Sequence, residues 1–222
     1  MGFTIAVTGK GGTGKSTIAA LIVSELIRNR RTPVLAVDAD PNSCLDALLG
    51  VSAPNSIGGV REETRRLASA QNDPGISKRE LLELKISECL VESDSFDLIA
   101  MGRPEGPGCY CYANNVLGAV IRELSASYPY VVIDNEAGLE NLSRRIVSRV
   151  DLLVMVADPS VNGLRTLRRL YALAGEMGIE YASLVLAVNR LREGAIPREL
   201  DTLKQETSAS AVVCLPADDM IA

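Results

Sequence analysis

At 222 residues, with 47% hydrophobic and 23% charged side chains, the chain can build one α/β domain with a sizeable core and is short for two. Two Phe and no Trp leave aliphatic side chains to fill that core. A formal charge of -5 and the lack of any basic block argue against a nucleic acid partner, and no apolar run approaches the ~18 residues that span a bilayer, so no membrane partner is expected.

The five cysteines are an odd number, there is no histidine, and no leader-like stretch precedes the first apolar run at Phe3. The expectation is a reducing cytoplasm rather than a disulfide framework.

Short aliphatic and β-branched runs recur along the chain: FTIAVT at 3–8, PVLAVD at 33–38, DLIAMG at 97–102, YVVID at 130–134, LLVMVA at 152–157, LVLAVN at 184–189 and AVVCL at 211–215. Each is predicted as a buried strand. Helical spacing follows the first run (Ile18, Leu21, Ile22, Leu26) and the fifth (Leu164, Leu167, Leu170, Leu173, Ala174), giving each helix one apolar stripe. The expected fold is therefore α/β, a mostly parallel sheet of about seven strands with helices on both faces. Residues 52–95, with REETRRL and then KRELLELKISECL, are predicted as a solvated helical insertion in a single domain spanning 1–222.

Between the first strand and the first helix lies GKGGTGKST, residues 9–17, which matches G-x-x-x-x-G-K-[ST] in the context such a match requires. The predicted nucleotide-binding set is Gly9, Gly11, Gly12, Thr13, Gly14, Lys15, Ser16 and Thr17. Glycines let successive N–H groups converge on phosphate oxygens, and the helix adds its positive end. Lys15 is expected on the β and γ phosphates of ATP or ADP, and Ser16 on Mg²⁺.

Three carboxylates end strands nearby. VDADPN carries Asp38 and Asp40, which strand periodicity would put on one face, and VVIDNEAG carries Asp134, followed by Gly138. One Asp at a strand end is commonly a cap or turn residue, but three beside a phosphate loop point to metal and phosphate chemistry. LAVNR places Asn189 after the sixth expected strand.

GCYCYANNVLG, residues 108–118, holds Cys109 and Cys111 two apart, flanked by Tyr110 and Tyr112. A tetrahedral thiolate site with metal–sulfur distances of ~2.3 Å sets its sulfurs roughly 3.7 Å apart, so two such thiols can face one ion. One chain supplies two such ligands, half of a tetrahedral set. Soft thiolates suit Zn²⁺ in a tetrahedron or Ni²⁺ in a plane. Taken alone, the pair also suits small buried hydrophobes or a redox couple. Cys44, Cys89 and Cys214 have no spaced partner and are expected as core fillers.

KGGTGKST, with its extra Lys10, resembles the deviant Walker A loop of the P-loop NTPases (SIMIBI class) that include the nitrogenase iron protein, the MinD and ParA ATPases and several metallochaperones. The resemblance implies an ATP hydrolase working as a nucleotide-dependent homodimer, in which Lys10 crosses a two-fold axis to the partner's nucleotide. It implies catalytic roles for Lys10, Lys15 and Asp40, the last positioning the attacking water. Asp38 and Asp134 would belong to the Mg²⁺ shell, the Gly138 N–H would sense the γ-phosphate, and Asn189 would bond adenine.

GCYCYANNVLG followed by DNEAGLENLSR resembles the CooC-type maturation ATPases of carbon monoxide dehydrogenase and their relatives serving acetyl-CoA synthase. That implies a metallochaperone whose Cys109 and Cys111 hold Ni or Zn between two subunits and whose client is one of those nickel enzymes. Asn141 stands where such relatives often carry histidine, which leaves the metal to the thiolates. Two other readings fit a loop of this kind: a positioning switch like MinD and ParA, which needs a membrane helix or a basic DNA face, and an iron–sulfur carrier or reductase, which needs cysteines bridging a cluster between chains.

Overall fold

The computed structural model describes residues 2–42, 44–57, 87–102, 124–139, 149–192 and 197–218. In chain order they form β1 (Phe3–Gly9), α1 (Lys15–Arg28), β2 (Val34–Ala39), α2 (Leu45–Leu48), β3 (Leu90–Glu92) and β4 (Phe96–Ala100), then β5 (Tyr130–Asn135) and β6 (Arg149–Ala157). α3 (Val161–Glu176), β7 (Glu180–Leu191), α4 (Leu200–Glu206) and β8 (Ala211–Pro216) complete them. Among the described residues the strands make one eight-stranded sheet in the order β3-β4-β2-β5-β1-β6-β7-β8. Every neighbouring pair is parallel except β3 and β4.

The seven expected strands are all present, so the mostly parallel α/β architecture is as expected. The eighth, β3, falls inside the segment expected to be helical. Residues 58–86 of that segment lie outside the described residues, but its end pairs Leu90, Val91 and Glu92 antiparallel with Ile99, Leu98 and Asp97. A three-residue edge strand shows too little alternation to separate from the helical spacing before it.

Burial follows from the pairing. β1, β2 and β5 are buried along nearly their whole length, as parallel strands covered on both faces must be. Alternate residues feed two cores. Leu35, Val37, Ile133, Leu153 and Met155 join Leu164, Leu167 and Leu203 on one face. Val34, Ala36, Val132 and Val154 join Ile18, Ala19 and Val23 of α1 on the other. Ser160 starts α3 by accepting a bond from the Gly163 N–H at 3.0 Å. Two members of the expected helical stripes, Leu21 and Leu173, lie at the stripe margins and are 46% and 42% exposed.

Register then places the functional edge. Asp134 of β5 is paired with Val7 of β1 on one side and with Asp38 of β2 on the other. The C-terminal ends of the three central strands therefore reach the same level, where parallel α/β sheets bind ligands.

Leu153→Ala, at a fully buried site, should destabilise the protein by about 2–5 kcal/mol with an unchanged denaturant slope. Leu21→Ala should stay within about 0.5 kcal/mol. Urea unfolding of both variants checks this, and equal losses would contradict the assignment of the core.

Candidate functional site

The loop from Gly9 to Gly14 is shaped by what a side chain would strike. A Cβ on Gly9 would lie 2.3 Å from the carbonyl oxygen of Val156 on neighbouring β6. Gly14 has φ 90°, and a Cβ there would lie 2.4 Å from the Asn189 amide nitrogen. Only glycine meets both conditions at Gly14. The loop is closed by Thr13, whose hydroxyl donates to the Lys10 carbonyl at 2.8 Å and whose N–H reaches the same oxygen at 3.4 Å.

α1 opens directly from this loop. Its cap position is Gly14, so no side chain satisfies the first N–H groups, and its first turn carries no acidic residue. That end suits an anion. Lys15 is buried and Ser16 and Thr17 are half-buried, whereas Lys10 is exposed. One lysine is thus sheltered beside the loop and the other reaches solvent.

The carboxylates differ sharply in environment. Asp38 is buried and fully engaged: one oxygen accepts from the Asp40 N–H at 3.1 Å, the other from the N–H groups of Cys44 at 2.9 Å and Leu45 at 3.0 Å. It therefore ties the end of β2 to the start of α2. Burial raises its pKa, the three N–H bonds oppose this, and neighbouring Asp40 adds to it. β2 ends at Ala39, so Asp40 lies in the turn beyond it, and the shared strand face expected of Asp38 and Asp40 is replaced by that turn. Asp40 in turn accepts from the N–H of Asn42 at 2.8 Å and from its amide at 3.1 Å.

Asp134 is different. It is fully buried, and neither carboxylate oxygen has a hydrogen-bond partner. Burial pushes its pKa up to about 7, with the charges of Asp38 and Asp40 adding to the effect. The Ser16 hydroxyl and Lys15 ammonium nearby pull it down without meeting hydrogen-bond geometry. A buried carboxylate with nothing to bond is costly unless a cation joins it. Ser16 and Asp134 thus fit Mg²⁺ on one side of the loop.

Gly138 docks onto the start of the loop. Its N–H donates to the Gly9 carbonyl at 3.1 Å, and its carbonyl accepts the Thr8 hydroxyl. Asn135 is buried as well, and its amide donates to the Val7 carbonyl at 3.0 Å. Asn189 reaches from β7 to the Thr13 carbonyl at 2.9 Å. Beyond it opens a cavity of about 430 Å³, lined by Gly14, Thr17, Asn189, Arg190, Pro216 and Asp218 among others, which is the size of a small-molecule pocket. Thr8 and Asn135 were missed by sequence reasoning; only their places beside the loop and beside Asp134 could have flagged them.

The structure brings Lys15, Ser16, Asp38, Asp40, Asp134, Gly138 and Asn189 to one edge of the sheet. Cys109 and Cys111, with Asn141, lie outside the described residues. Among the described residues no group of three or more Cys, Asp or Glu side chains is arranged to hold a metal ion unaided. Cys89 is buried and Cys214 half-buried, as core fillers are. Cys44 is not one: it is exposed at the head of α2, with its N–H donating to Asp38 at 2.9 Å. Among the described residues no helix is long and apolar enough to cross a membrane.

The raised pKa of Asp134 has a measurable sign. Without metal the native carboxyl keeps its proton up to about pH 7, while the unfolded chain releases it near 3.8. The native state binds more protons between these limits, so stability is greatest below the lower one and falls as pH rises toward the upper. In EDTA, urea unfolding at about pH 5 and about pH 7.5 should show this loss in the wild type and a clearly smaller one in Asp134→Asn. Parallel losses would contradict the environment described for Asp134.

Residues 4–215 match the CobQ/CobB/MinD/ParA nucleotide binding domain. An uncharacterized ATP-binding protein of Methanocaldococcus jannaschii is 39% identical over 98% of this chain and 86% of its own length. The carbon monoxide dehydrogenase accessory protein CooC of Rhodospirillum rubrum is 32% identical over 79% of this chain and 70% of its own. Among solved structures, a ParA family ATPase from Chlorobium tepidum superposes with a TM-score of 0.71 at 22% identity, covering 99% of this chain and 87% of that one. With its phosphate loop, mostly parallel sheet and paired carboxylates, the chain belongs to the CobQ/CobB/MinD/ParA nucleotide-binding family of P-loop ATPases.

Proposed function

We propose that this ATPase is a dimeric metallochaperone that holds a nickel- or zinc-class ion between two copies and delivers nickel to carbon monoxide dehydrogenase or acetyl-CoA synthase. The observation that carries the reading is the C-x-C pair, Cys109 and Cys111, in a chain that is 32% identical to a carbon monoxide dehydrogenase accessory protein. Kinship to CooC supports the client, and the softness of paired thiolates supports the ion.

The nucleotide half of the reading rests on the sheet edge. The amides of Gly11 to Thr17 and the Lys15 ammonium cradle the phosphates, with ATP as substrate and ADP as product. Ser16 and Asp134 hold Mg²⁺, and Asp38 keeps the neighbouring loop in place. Bound Mg²⁺ neutralises charge on the β and γ oxygens. Asp40 orients the attacking water. Asn189 contributes to the adenine pocket from its seat on Thr13.

Coupling to the dimer has two parts. Lys10 is exposed, as a side chain meant for the partner's nucleotide should be. A cation delivered from across the axis acts on charge that grows in the transition state. The Gly138 N–H is bonded to the Gly9 carbonyl here, so a γ-phosphate must compete for it, and winning would release the Gly138 turn from the loop. That release at the subunit boundary alters the spacing of the two thiol pairs and so loads or frees the ion.

Cys109→Ser should abolish metal-dependent dimerisation while preserving Mg–ATP binding. Solution mass with and without nickel and ATP, together with metal analysis, reads both. A variant that still dimerises on nickel or zinc contradicts the proposal, and a stable cluster absorbance after anaerobic reconstitution with iron and sulfide replaces it with an iron–sulfur carrier. Lys10→Ala should keep ADP binding and lose about a hundredfold or more in ATP turnover. Unimpaired turnover would remove Lys10 from the catalytic set.

A further inference from the structure

Cys44 sits where no core cysteine would. It is exposed at the head of α2, with its N–H held by Asp38 at 2.9 Å. The Asp38 carboxylate that holds this N–H stands in register beside Asp134 on the neighbouring strand, and the Ser16 hydroxyl influences both the Cys44 thiol and the Asp134 carboxyl. The charges of Asp38, Asp134 and Asp40 all reach the thiol. Independently, Asp134 is fully buried with both carboxylate oxygens unpartnered, which marks this spot as one that takes a cation.

A thiol beside a hard-cation site changes which ions the site accepts. Magnesium prefers oxygen donors and ignores sulfur, whereas zinc-class ions gain strongly from a thiolate. We propose that Cys44 makes the catalytic cation site responsive to soft divalent ions: such an ion is held by the Cys44 sulfur, Asp134, the Ser16 oxygen and nucleotide phosphate in place of Mg²⁺, and slows ATP turnover. As the sulfur–metal bond forms, the thiol proton passes to solvent and one water leaves the metal. Nothing is oxidised or reduced. The protein donors do not close a site alone, which agrees with the lack of a three-residue metal group among the described residues, so the ion enters with the nucleotide.

The proposal rests on the nucleotide site described above and is independent of Cys109 and Cys111.

The test uses the full chain carrying Cys109→Ser and Cys111→Ser, so that the thiol pair cannot answer for Cys44. Cadmium is titrated in the presence of ADP, and the ultraviolet thiolate-to-cadmium charge-transfer band is followed. The expected result is a saturable band that excess Mg²⁺ abolishes. It should vanish on adding Cys44→Ser, which puts a favoured capping residue where the thiol makes no cap bond, and cadmium affinity should fall at least about tenfold on adding Asp134→Asn. A band that survives Cys44→Ser, or that ignores both Mg²⁺ and Asp134→Asn, overturns the proposal. ADP binding is measured in parallel with Mg²⁺: its absence overturns the nucleotide site itself, whereas normal binding without a cadmium band overturns only the role of Cys44.

Discussion

The site depends on β5 lying between β1 and β2 in parallel register. That pairing sets Asp134 level with Val7, two residues before the phosphate loop, and with Asp38, the anchor of the loop after β2. Adjacent strands are about 4.8 Å apart, so the pairing holds two acidic side chains and a glycine loop within reach of one ion. A one-residue slip would turn Asp134 toward the opposite face and dissolve the site. The two cores above and below the sheet, filled by alternate residues of the same strands, prevent that slip.

Within this frame, two aspartates of equal chemistry have become different devices. Asp38 meets three backbone N–H groups and works as a structural clasp. Asp134, equally buried, meets none, and its oxygens are available to a cation. The contrast gives one residue the work of shaping the Asp40 turn and the head of α2, and leaves the other as the carboxylate to which the proposed function gives cation capture. It also explains why Cys44 stands at the site: the clasp on its N–H holds it beside Ser16.

Much of this was legible in the residues. The strands were readable because parallel strands covered on both faces are nearly continuous in apolar residues, and the loop because its glycines, lysine and serine occur at fixed spacing between strand and helix. What escaped depends on contacts remote in sequence or on elements too short to carry a period. β3 has only three residues and follows a helical pattern directly. The seat of Asn189 on Thr13 joins residues 176 apart. Asp40 escaped because the strand stops at Ala39 and the Asp38 side chain turns the chain there. Cys44 looked like core because Leu45 beside it is core. Leu21 and Leu173 show the opposite limit, since helical spacing marks a stripe but not where its margin meets solvent.

The central claim is that Asp134 is the buried carboxylate that recruits the catalytic cation at the phosphate loop. Calorimetric titration of ADP with and without Mg²⁺, in the wild type and in Asp134→Asn, addresses it most directly. Mg²⁺ should strengthen ADP binding in the wild type and have little effect in the variant, with metal-free ADP affinity similar in both. Equal strengthening by Mg²⁺ in the two proteins would contradict the claim.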